Sequence, residues 1–350
     1  MTRTCGRDNR RSAMTVTEVV TTVGCVSLLI ALVLPSMSEA RRQGREVVCL
    51  RNLSRLGAAS AIYANADPGE QPIPVHPLMG LIYRANGAYA WGGKAGKGEP
   101  QGGTEPVTSK WGTQAGRGPS TRGLNQIIYG DVLPNYEDIP GQNQRNWERD
   151  SELNLDVFRC PADSGYTGHH FVAWKNSRLS SYDHYGNSYS ANALWAGIPG
   201  GDCRLNSVSP FLRPASRVPN PATTLLFLEN CGRFGWHASY EDPDDEDCIS
   251  YSGSLVSDGD SPIRGWHSRP WMFQVAYVDG HAGIVKMQGR QQPEPSLGRY
   301  PMWNGQSTDH DFWRCVIIRG PGWQLDALPA PPVRTNISCG QFGAVVQEVG

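Results

Sequence analysis

The sequence lacks three features that would each point to a function. It has no dense basic patch, since 32 Lys and Arg stand against 33 Asp and Glu and the formal net charge is -1. Nucleic-acid binding requires a concentrated positive surface, so we expect no nucleic-acid partner. No two cysteines have the CxxC spacing of a zinc ribbon, which argues against a structural zinc site of that kind. The chain also contains no internal repeat.

The glycine-rich stretch GGKAGKG does not meet the requirements of a phosphate-binding loop. No apolar strand precedes it, and no Lys-Ser or Lys-Thr pair opens a helix behind it. We therefore interpret residues 87–123 as a long glycine-rich surface loop, and we expect no small-molecule substrate.

Charge is absent from an apolar run close to the N-terminus, at residues 19–34. Roughly 16 residues of helix could lie in lipid there, somewhat fewer than the ~20 of a free-standing span. Residues 1–13 are basic, and positive charge before an apolar run keeps that end in the cytoplasm. One carboxylate, Glu18, lies directly before the first residue of this run. Ionisable groups at membrane depth are costly, so Glu18 is expected to need a partner.

An amphipathic segment follows the apolar run. Five of its residues recur at intervals of four and three, and these are Cys49, Leu53, Leu56, Ser60 and Tyr63. This spacing defines one face of a helix, which Asp-Pro-Gly at residues 67–69 is expected to end. Such a face needs a partner surface, so we expect it to pack on the body of the protein.

The rest of the chain is loop-rich and favours β-structure, with 40 Gly, 26 Pro, 11 Trp and 13 Tyr. We predict a short helix within residues 123–136, a β-type region from residue 155, and strands at residues 220–229 and 273–278. Asp-Gly after the last strand is a strong hairpin signal. Glu229, at the end of the strand before it, is either a ligand or a solvated cap.

Six cysteines lie beyond the predicted helix, an even number that permits three disulfides in an oxidising compartment. They are Cys160, Cys203, Cys231, Cys248, Cys315 and Cys339. Unpaired buried thiols in a reducing compartment are the alternative. Cys25 and Cys49 lie within the helix, and we expect both to be reduced and packed.

The N-terminal segment resembles the class III signal of type IV prepilins and pseudopilins. That signal is a basic leader and a small residue, followed by a mature chain with Thr second, Glu fifth and an uninterrupted apolar helix. The matching residues are Thr15, Glu18 and Pro35, while Ala13 and Met14 stand where the family usually has Gly and Phe. The resemblance implies cleavage after Ala13 by a prepilin peptidase and N-methylation of Met14. It also implies that Glu18 neutralises the Met14 amine of a neighbouring subunit.

Several sequence fragments of the rest of the chain, in the same order along it, resemble those of a large bacterial family of prepilin-like proteins. The members of this family are similar to type II secretion protein G. These fragments are CLRNL, FRCPAD, the strand PATTLLFLE, and a C-terminal histidine that precedes an Asp-Gly turn. The residues that match the family motifs are Cys49, Asn52, Leu53, Cys160, Pro161, Asp163, His267, Asp279, Gly280 and His281. Because this family is structural, the resemblance implies that the protein is not an enzyme.

The resemblance implies an α+β, pilin-like fold, in which a long N-terminal helix packs on an antiparallel β-sheet with large loop insertions. The expected parts are a leader at residues 1–13, a transmembrane helix at 14–35, an amphipathic helix at 36–66, a head at 67–290 and a C-terminal extension at 291–350. The expected protein is a single-pass, pseudopilin-like subunit of the inner membrane. Its N-terminus would be cytoplasmic, its head periplasmic or extracellular, and its partners a prepilin peptidase and other pilin-like subunits.

Three alternatives to this interpretation remain open. Ser-Glu-Ala at residues 38–40 resembles a secretory cleavage site, and cleavage there would release a soluble body. The protein is otherwise an exported binding protein that uses its helix only as an anchor, or a metal-dependent hydrolase built on His267, Asp279 and His281. Against the hydrolase, no nucleophile stands in a recognisable elbow nearby.

An acidic stretch at residues 241–247, followed by Asp258 and Asp260, offers the only cofactor candidate. Ca²⁺ prefers carboxylate oxygens clustered on loops, although this spacing matches no EF-hand. A solvated acidic loop is the alternative. Apart from this calcium ion, we expect no cofactor.

Overall fold

A long N-terminal helix and antiparallel sheets give the protein a mixed α+β architecture. The computed structural model describes residues 15–76, 88–98, 109, 111–130, 133, 143–165, 179–193, 195–196, 204–207, 209–232, 265–287, 319–327, 333–336 and 347–348. Between Gly44 and Arg45 the chain divides into two compact units, which are described separately below.

Helix α1 (Val16–Ala66) begins on a capping box. Thr15 Oγ1 accepts a hydrogen bond from the Glu18 backbone N–H at 3.3 Å. In return, Glu18 Oε2 accepts one from the Thr15 backbone N–H at 2.8 Å. The helix then continues through Pro35 and through residues 38–40 without interruption. The part in the first unit is apolar and exposed, with Val16 81% and Leu32 74% accessible.

Within the described residues, α1 is the one helix that is long and apolar enough to cross a membrane. A membrane anchor and a signal sequence both have this length and composition.

Helix α1 ends where the sequence predicts, at Ala66. The Asp67 carboxylate accepts hydrogen bonds from the backbone N–H groups of Gly69 and Gln71, both at 3.1 Å, and turns the chain out of the helix.

In the second unit, α1 buries one face, as its periodicity predicts. The buried residues are Glu46, Cys49, Asn52, Leu53, Leu56, Gly57, Ala59, Ser60 and Ala64. Close approach is possible at Gly57, where an added Cβ would lie 2.9 Å from the Gly280 Cα atom. The helix therefore packs directly against the backbone of the turn at Gly280.

The central sheet has four antiparallel strands. They are β1 (Tyr189–Ala191), β4 (Leu225–Glu229), β5 (Met272–Tyr277) and β6 (Ala282–Lys286), in the order β1-β4-β5-β6. Every residue of β4 is buried, which fits its continuous apolar sequence. The Phe227 ring packs on Trp91 with ring centroids 4.2 Å apart. The predicted hairpin is confirmed, since β5 pairs with β6 and Gly280 has the positive φ of +90° that favours glycine.

The remaining elements are short. A second antiparallel sheet has the order β10-β9-β3-β2, built from β2 (Trp195–Ala196), β3 (Arg204–Ser207), β9 (Val333–Asn336) and β10 (Gln347–Glu348). A two-stranded ribbon pairs β7 (Arg319–Gly320) with β8 (Trp323–Gln324). The other helices are α2 (Gly123–Tyr129), α3 (Asn143–Glu152) and α4 (Ser181–Tyr185), and 3₁₀ turns occupy Pro119–Thr121, Asp156–Phe158 and Ala215–Arg217.

Two local predictions are wrong. The β-type region expected from residue 155 begins instead with the 3₁₀ turn Asp156–Phe158. Asn52 of α1 stabilises it by donating hydrogen bonds to the carbonyl groups of Asp156 in the turn and of Arg159 directly after it. The predicted strand at residues 220–229 begins only at Leu225. Before it, the Asn220 carbonyl accepts hydrogen bonds from the N–H groups of Thr223 and Thr224, which closes a turn.

The glycine-rich segment is mostly buried where the structure describes it, so the surface-loop interpretation is wrong for most of it. Among its described residues only Gln114, Ser120 and Thr121 are exposed. Residues 88–96 are all buried, and Trp91 and Trp111 are 0% and 1% exposed. Arg122, near the end of this segment, holds it in place. Its guanidinium group donates hydrogen bonds to the carbonyl groups of Tyr89, Gly92, Trp111, Arg117 and Tyr185. The glycines here permit close backbone packing instead of exposure.

Candidate metal centre

Four side chains from distant parts of the sequence meet at one buried point. Cys49, Cys160, Glu229 and His267 each offer one ligand atom, and these atoms all lie within 4.8 Å of one another. The exposed fractions of the four residues are 0%, 1%, 0% and 4%.

Several close contacts in this cluster involve Glu229 and His267. His267 Nε2 lies 3.0 Å from Glu229 Oε1 and 3.5 Å from Cys160 Sγ. Glu229 Oε1 also lies 3.5 Å from Cys49 Sγ and 3.9 Å from Cys160 Sγ. Two sulfur atoms, one imidazole nitrogen and one carboxylate oxygen therefore face a common centre.

Helix α1 positions both cysteines. Cys49 lies on its buried face, and Asn52 lies almost one turn further along the same face. The Asn52 amide donates to the carbonyl groups of Asp156 at 2.9 Å and of Arg159 at 3.0 Å. Because Arg159 directly precedes Cys160, the helix that carries one thiol also holds the loop that carries the other.

Asp163 fixes the turn that begins at Cys160. It accepts a hydrogen bond from the Ser188 hydroxyl at 2.6 Å, and the same hydroxyl accepts one from the Cys160 backbone N–H at 3.0 Å. Three backbone N–H groups also donate to the Asp163 carboxylate, each at 2.9 Å, and they belong to Gly165, Ser181 and Tyr182.

Two other motif residues lie outside the cluster: Leu53 is in the core, and Pro161 is exposed.

Glu229 is held from its far side by the sheet. The backbone N–H of Gln274 on β5 donates to Oε2 at 3.1 Å, which leaves Oε1 to face the sulfur atoms and the imidazole. Tyr189 is directly opposite Glu229 in the β1–β4 register, and its hydroxyl lies 3.2 Å from Cys49 Sγ. Residues of three sheet strands therefore organise the cluster.

His267 comes from a tight loop before β5. Ser268 and Trp271 have positive φ angles of 62° and 59°, which non-glycine residues rarely adopt. The indole N–H of Trp266 donates to the Gly165 carbonyl at 2.7 Å, and Arg269 pairs with Glu46 of α1 at 3.3 Å. Strained backbone of this kind persists only where its surroundings over-determine it.

The cluster shifts the pKa values of its members. Burial raises the pKa of the Cys49 thiol well above its ordinary value, and the neighbouring Cys160 and Glu229 raise it further. Burial by itself lowers the pKa of His267, but contacts with Cys160 and Glu229 outweigh burial and raise this pKa to about 10. Both neighbours therefore favour the protonated form of the His267 imidazole.

The arrangement does not fit a cysteine hydrolase. In a catalytic triad the carboxylate binds one imidazole nitrogen and the nucleophile binds the other. Here Glu229 Oε1 and Cys160 Sγ both contact Nε2 of His267. The near-complete burial of all four residues also leaves a substrate no access. The set of donors is instead one that soft and borderline metal ions prefer.

The structure separates the other predicted site residues from this cluster. Asp279 and His281 lie beyond the opposite end of β5 from His267, where His281 Nδ1 contacts Asp279 Oδ1 at 2.6 Å and its ring stacks on Tyr277. The hydrolytic site predicted from His267, Asp279 and His281 is therefore not assembled.

The disulfide candidates have a different outcome. Cys160 and Cys231 are buried free thiols, as is Cys49, while Cys25 is an exposed one. Six predicted site residues lie outside the described residues, and these are Ala13, Met14, Cys203, Cys248, Cys315 and Cys339. The calcium candidates Asp258 and Asp260 lie outside them as well.

Sequence reasoning missed how the cluster is assembled. Cys49, Cys160 and His267 were singled out in separate motifs, and Glu229 as a ligand or a solvated cap, but no local spacing connects them. The solvated cap is wrong because Glu229 is fully buried. A charged residue that ends a continuous apolar strand was the available signal. Gln274 and Ser188 carried none, because they act through a backbone N–H and a hydroxyl group. The position of Tyr189 opposite Glu229 depends on strand register.

Comparison with protein-family models, with curated proteins and with solved structures finds no match.

Proposed function

We propose that the protein is a membrane-anchored, prepilin-like structural subunit. In this proposal a prepilin peptidase cleaves the chain after Ala13, and the mature protein joins other pilin-like subunits through α1. The apolar part of α1 lies in the inner membrane, with the N-terminus in the cytoplasm and the head in the periplasm or outside the cell. The head has a structural and not an enzymatic role.

The continuity of α1 is the observation that carries the proposal. One helix runs from Val16 through the suspected secretory site at residues 38–40 and into the face that is buried from Glu46 onward. A removable signal peptide ordinarily ends before the folded body begins. Cleavage after residue 40 would cut this helix shortly before a segment that belongs to the core. A helix of this kind is suited to be retained as an anchor.

Glu18 has a local role that any test must separate from a role in assembly. Its carboxylate already accepts hydrogen bonds from the backbone N–H and the hydroxyl of Thr15, at 2.8 and 3.0 Å. Glutamine can complete the same capping box. Glutamine cannot, however, neutralise the free α-amino group that cleavage would create at Met14 of a neighbouring subunit. The charge of Glu18, and not its capping, is what assembly needs.

The variant Glu18→Gln therefore tests the proposal more sharply than Glu18→Ala. Two differently tagged copies of the full chain would be co-expressed with a prepilin peptidase, and their co-purification from membranes measured after crosslinking. We expect Glu18→Gln to lower co-purification at least tenfold, because an unpaired amine in an apolar environment costs several kcal/mol. The head should remain folded, as judged by its tryptophan fluorescence.

Glu39→Gln is the matched control. Glu39 is an exposed carboxylate on the same helix that pairs with Arg42, so its loss should leave co-purification unchanged. If Glu18→Gln assembles as well as the wild type, Glu18 serves only as a cap and the subunit proposal fails. That outcome would favour an exported binding protein that uses α1 as a simple anchor.

A further inference from the structure

We propose that Cys49, Cys160, Glu229 and His267 bind one Zn²⁺ ion, which fastens helix α1 to the central sheet. The proposal concerns only the head, so it holds whether or not the protein assembles with other subunits. Such a site is structural because four protein ligands would fill a tetrahedral zinc ion and leave no open position for a substrate.

The spacing of the donor atoms agrees with tetrahedral zinc. Bonds of ~2.3 Å to sulfur and ~2.0–2.1 Å to nitrogen or oxygen place the donor atoms of such a site roughly 3.3–3.8 Å apart. Four of the six distances between these atoms are 3.0, 3.5, 3.5 and 3.9 Å, and the other two are at most 4.8 Å. The first four differ from the expected range by no more than a few tenths of an ångström, and side-chain movements of up to about 1 Å would bring the other two into it.

The chemistry of the donors also favours zinc. Thiolate sulfur and imidazole nitrogen select Zn²⁺ over the hard cations Ca²⁺ and Mg²⁺, which take oxygen ligands. A carboxylate and two thiolates in a site without solvent access would be costly by themselves. A divalent cation at their centre offsets most of that charge, and its binding would displace the thiol protons.

Neighbouring groups hold the ligands in an orientation that suits metal binding. The backbone N–H of Gln274 occupies Oε2 of Glu229 and directs Oε1 to the centre. The Tyr189 hydroxyl, 3.2 Å from Cys49 Sγ, can donate to a thiolate there. Asn52 and Ser188 fix the backbone on either side of the Cys160 thiol. Hydrogen bonds around the ligands are a regular feature of metal sites in proteins.

Two simpler accounts compete with the metal. In the first, Glu229 and His267 form a buried ion pair, and the two thiols only fill space beside it. In the second, Cys49 and Cys160 form a disulfide in an oxidising compartment. The ion pair does not explain why two thiols face it, and a disulfide would remove both thiols as donors and leave Glu229 and His267 as an ion pair beside it. Both accounts make predictions that differ from those of a zinc site.

The experiment measures metal in the purified full chain. We expect elemental mass spectrometry to find about one Zn²⁺ per chain, because the site offers one complete tetrahedral ligand set. Cys49→Ser and Cys160→Ser should each lower the zinc content at least tenfold. Cys231→Ala is the matched control, since Cys231 is a buried free thiol that lies outside the cluster, and its zinc content should equal that of the wild type.

A second measurement uses only the wild-type chain, so it remains informative even if the cysteine variants fail to fold. Wild-type protein would be unfolded, stripped of metal and refolded with Co²⁺, Zn²⁺ or no metal. We expect Co²⁺ to give intense thiolate-to-metal charge-transfer bands and the strong visible bands of tetrahedral cobalt. We expect the melting temperature without metal to fall by roughly 10 °C relative to the zinc form, since a ligand that binds only the folded state stabilises it.

Two results would overturn the proposal. One is a wild-type chain that contains no zinc and gives no cobalt spectrum, with either free Cys49 and Cys160 thiols or a Cys49–Cys160 disulfide in peptide mass spectra. The other is zinc that survives both cysteine substitutions, which would place the metal elsewhere.

Discussion

Glu229 ends a strand in which every residue is buried, and a lone carboxylate at that position would be costly. The structure offsets this cost with contacts from Gln274, His267 and two cysteines. The sequence alone did not decide whether Glu229 is a ligand or a solvated cap, because the end of a strand can face either solvent or the interior. Only the packing of α1 over the strand end decides between them.

Gly57 provides a test of that packing at the scale of one residue. A methyl group there would lie 2.9 Å from both the Cα and the carbonyl oxygen of Gly280, and backbone atoms of a hairpin turn cannot easily move away. We expect Gly57→Ala to lower the free energy of unfolding by about 1–3 kcal/mol, despite the better helix propensity of alanine. Chemical denaturation followed by tryptophan fluorescence would measure the change.

Gly44→Ala is the control for this substitution. Gly44 lies on the same helix, but nothing lies within 4 Å of its added Cβ. The helix propensity of alanine should therefore stabilise this variant by up to about 1 kcal/mol. Equal effects of the two substitutions would show that α1 does not approach the Gly280 turn as described.

At the scale of elements, the glycine-rich segment differs most from expectation. Its composition is typical of an exposed loop, yet most of its described part is buried in the head. Local sequence could not indicate this, because the segment is held by Arg122, whose five carbonyl partners come from residues between 89 and 185. Such a network depends on the tertiary fold and leaves no periodic pattern in the sequence.

Arg122→Lys tests whether this segment is part of the core. A lysine ammonium is a compact group with three donors and cannot reproduce the planar fork of a guanidinium. Several buried carbonyl groups would lose their partner, so we expect the free energy of unfolding to fall by about 3 kcal/mol. Arg51→Lys, at an exposed position of α1, should change it by less than about 0.5 kcal/mol. A stability of Arg122→Lys equal to that of the control would restore the surface-loop interpretation.

Other elements could be predicted because their signals are local. The buried stripe of α1, its end at Asp67, and the Asp279-Gly280 hairpin each follow from spacing or from turn chemistry within a few residues. The turn Asp156–Phe158 and the late start of β4 were not predictable in this way. In the first case, the deciding hydrogen bonds come from Asn52, which is more than a hundred residues away in the chain.

At the scale of the whole molecule, the coarse α+β class and the anchor-like helix follow from the sequence and are confirmed. The candidate site could be predicted only as separate pieces. Cys49, Cys160, Glu229 and His267 are spread over more than two hundred residues, and only folding brings them to one point. The proposed zinc ion would give that convergence a physical purpose, because it would join helix α1 to the central sheet.

The central claim is that α1 is retained as the anchor of a processed subunit. The mass of the mature N-terminal peptide, measured on protein expressed in a bacterium with a prepilin peptidase, tests it most directly. We predict a chain that begins at Met14 and carries an N-terminal methyl group. A chain that begins at Arg41 would show that the helix is cut after the secretory site at residues 38–40, and would contradict the account.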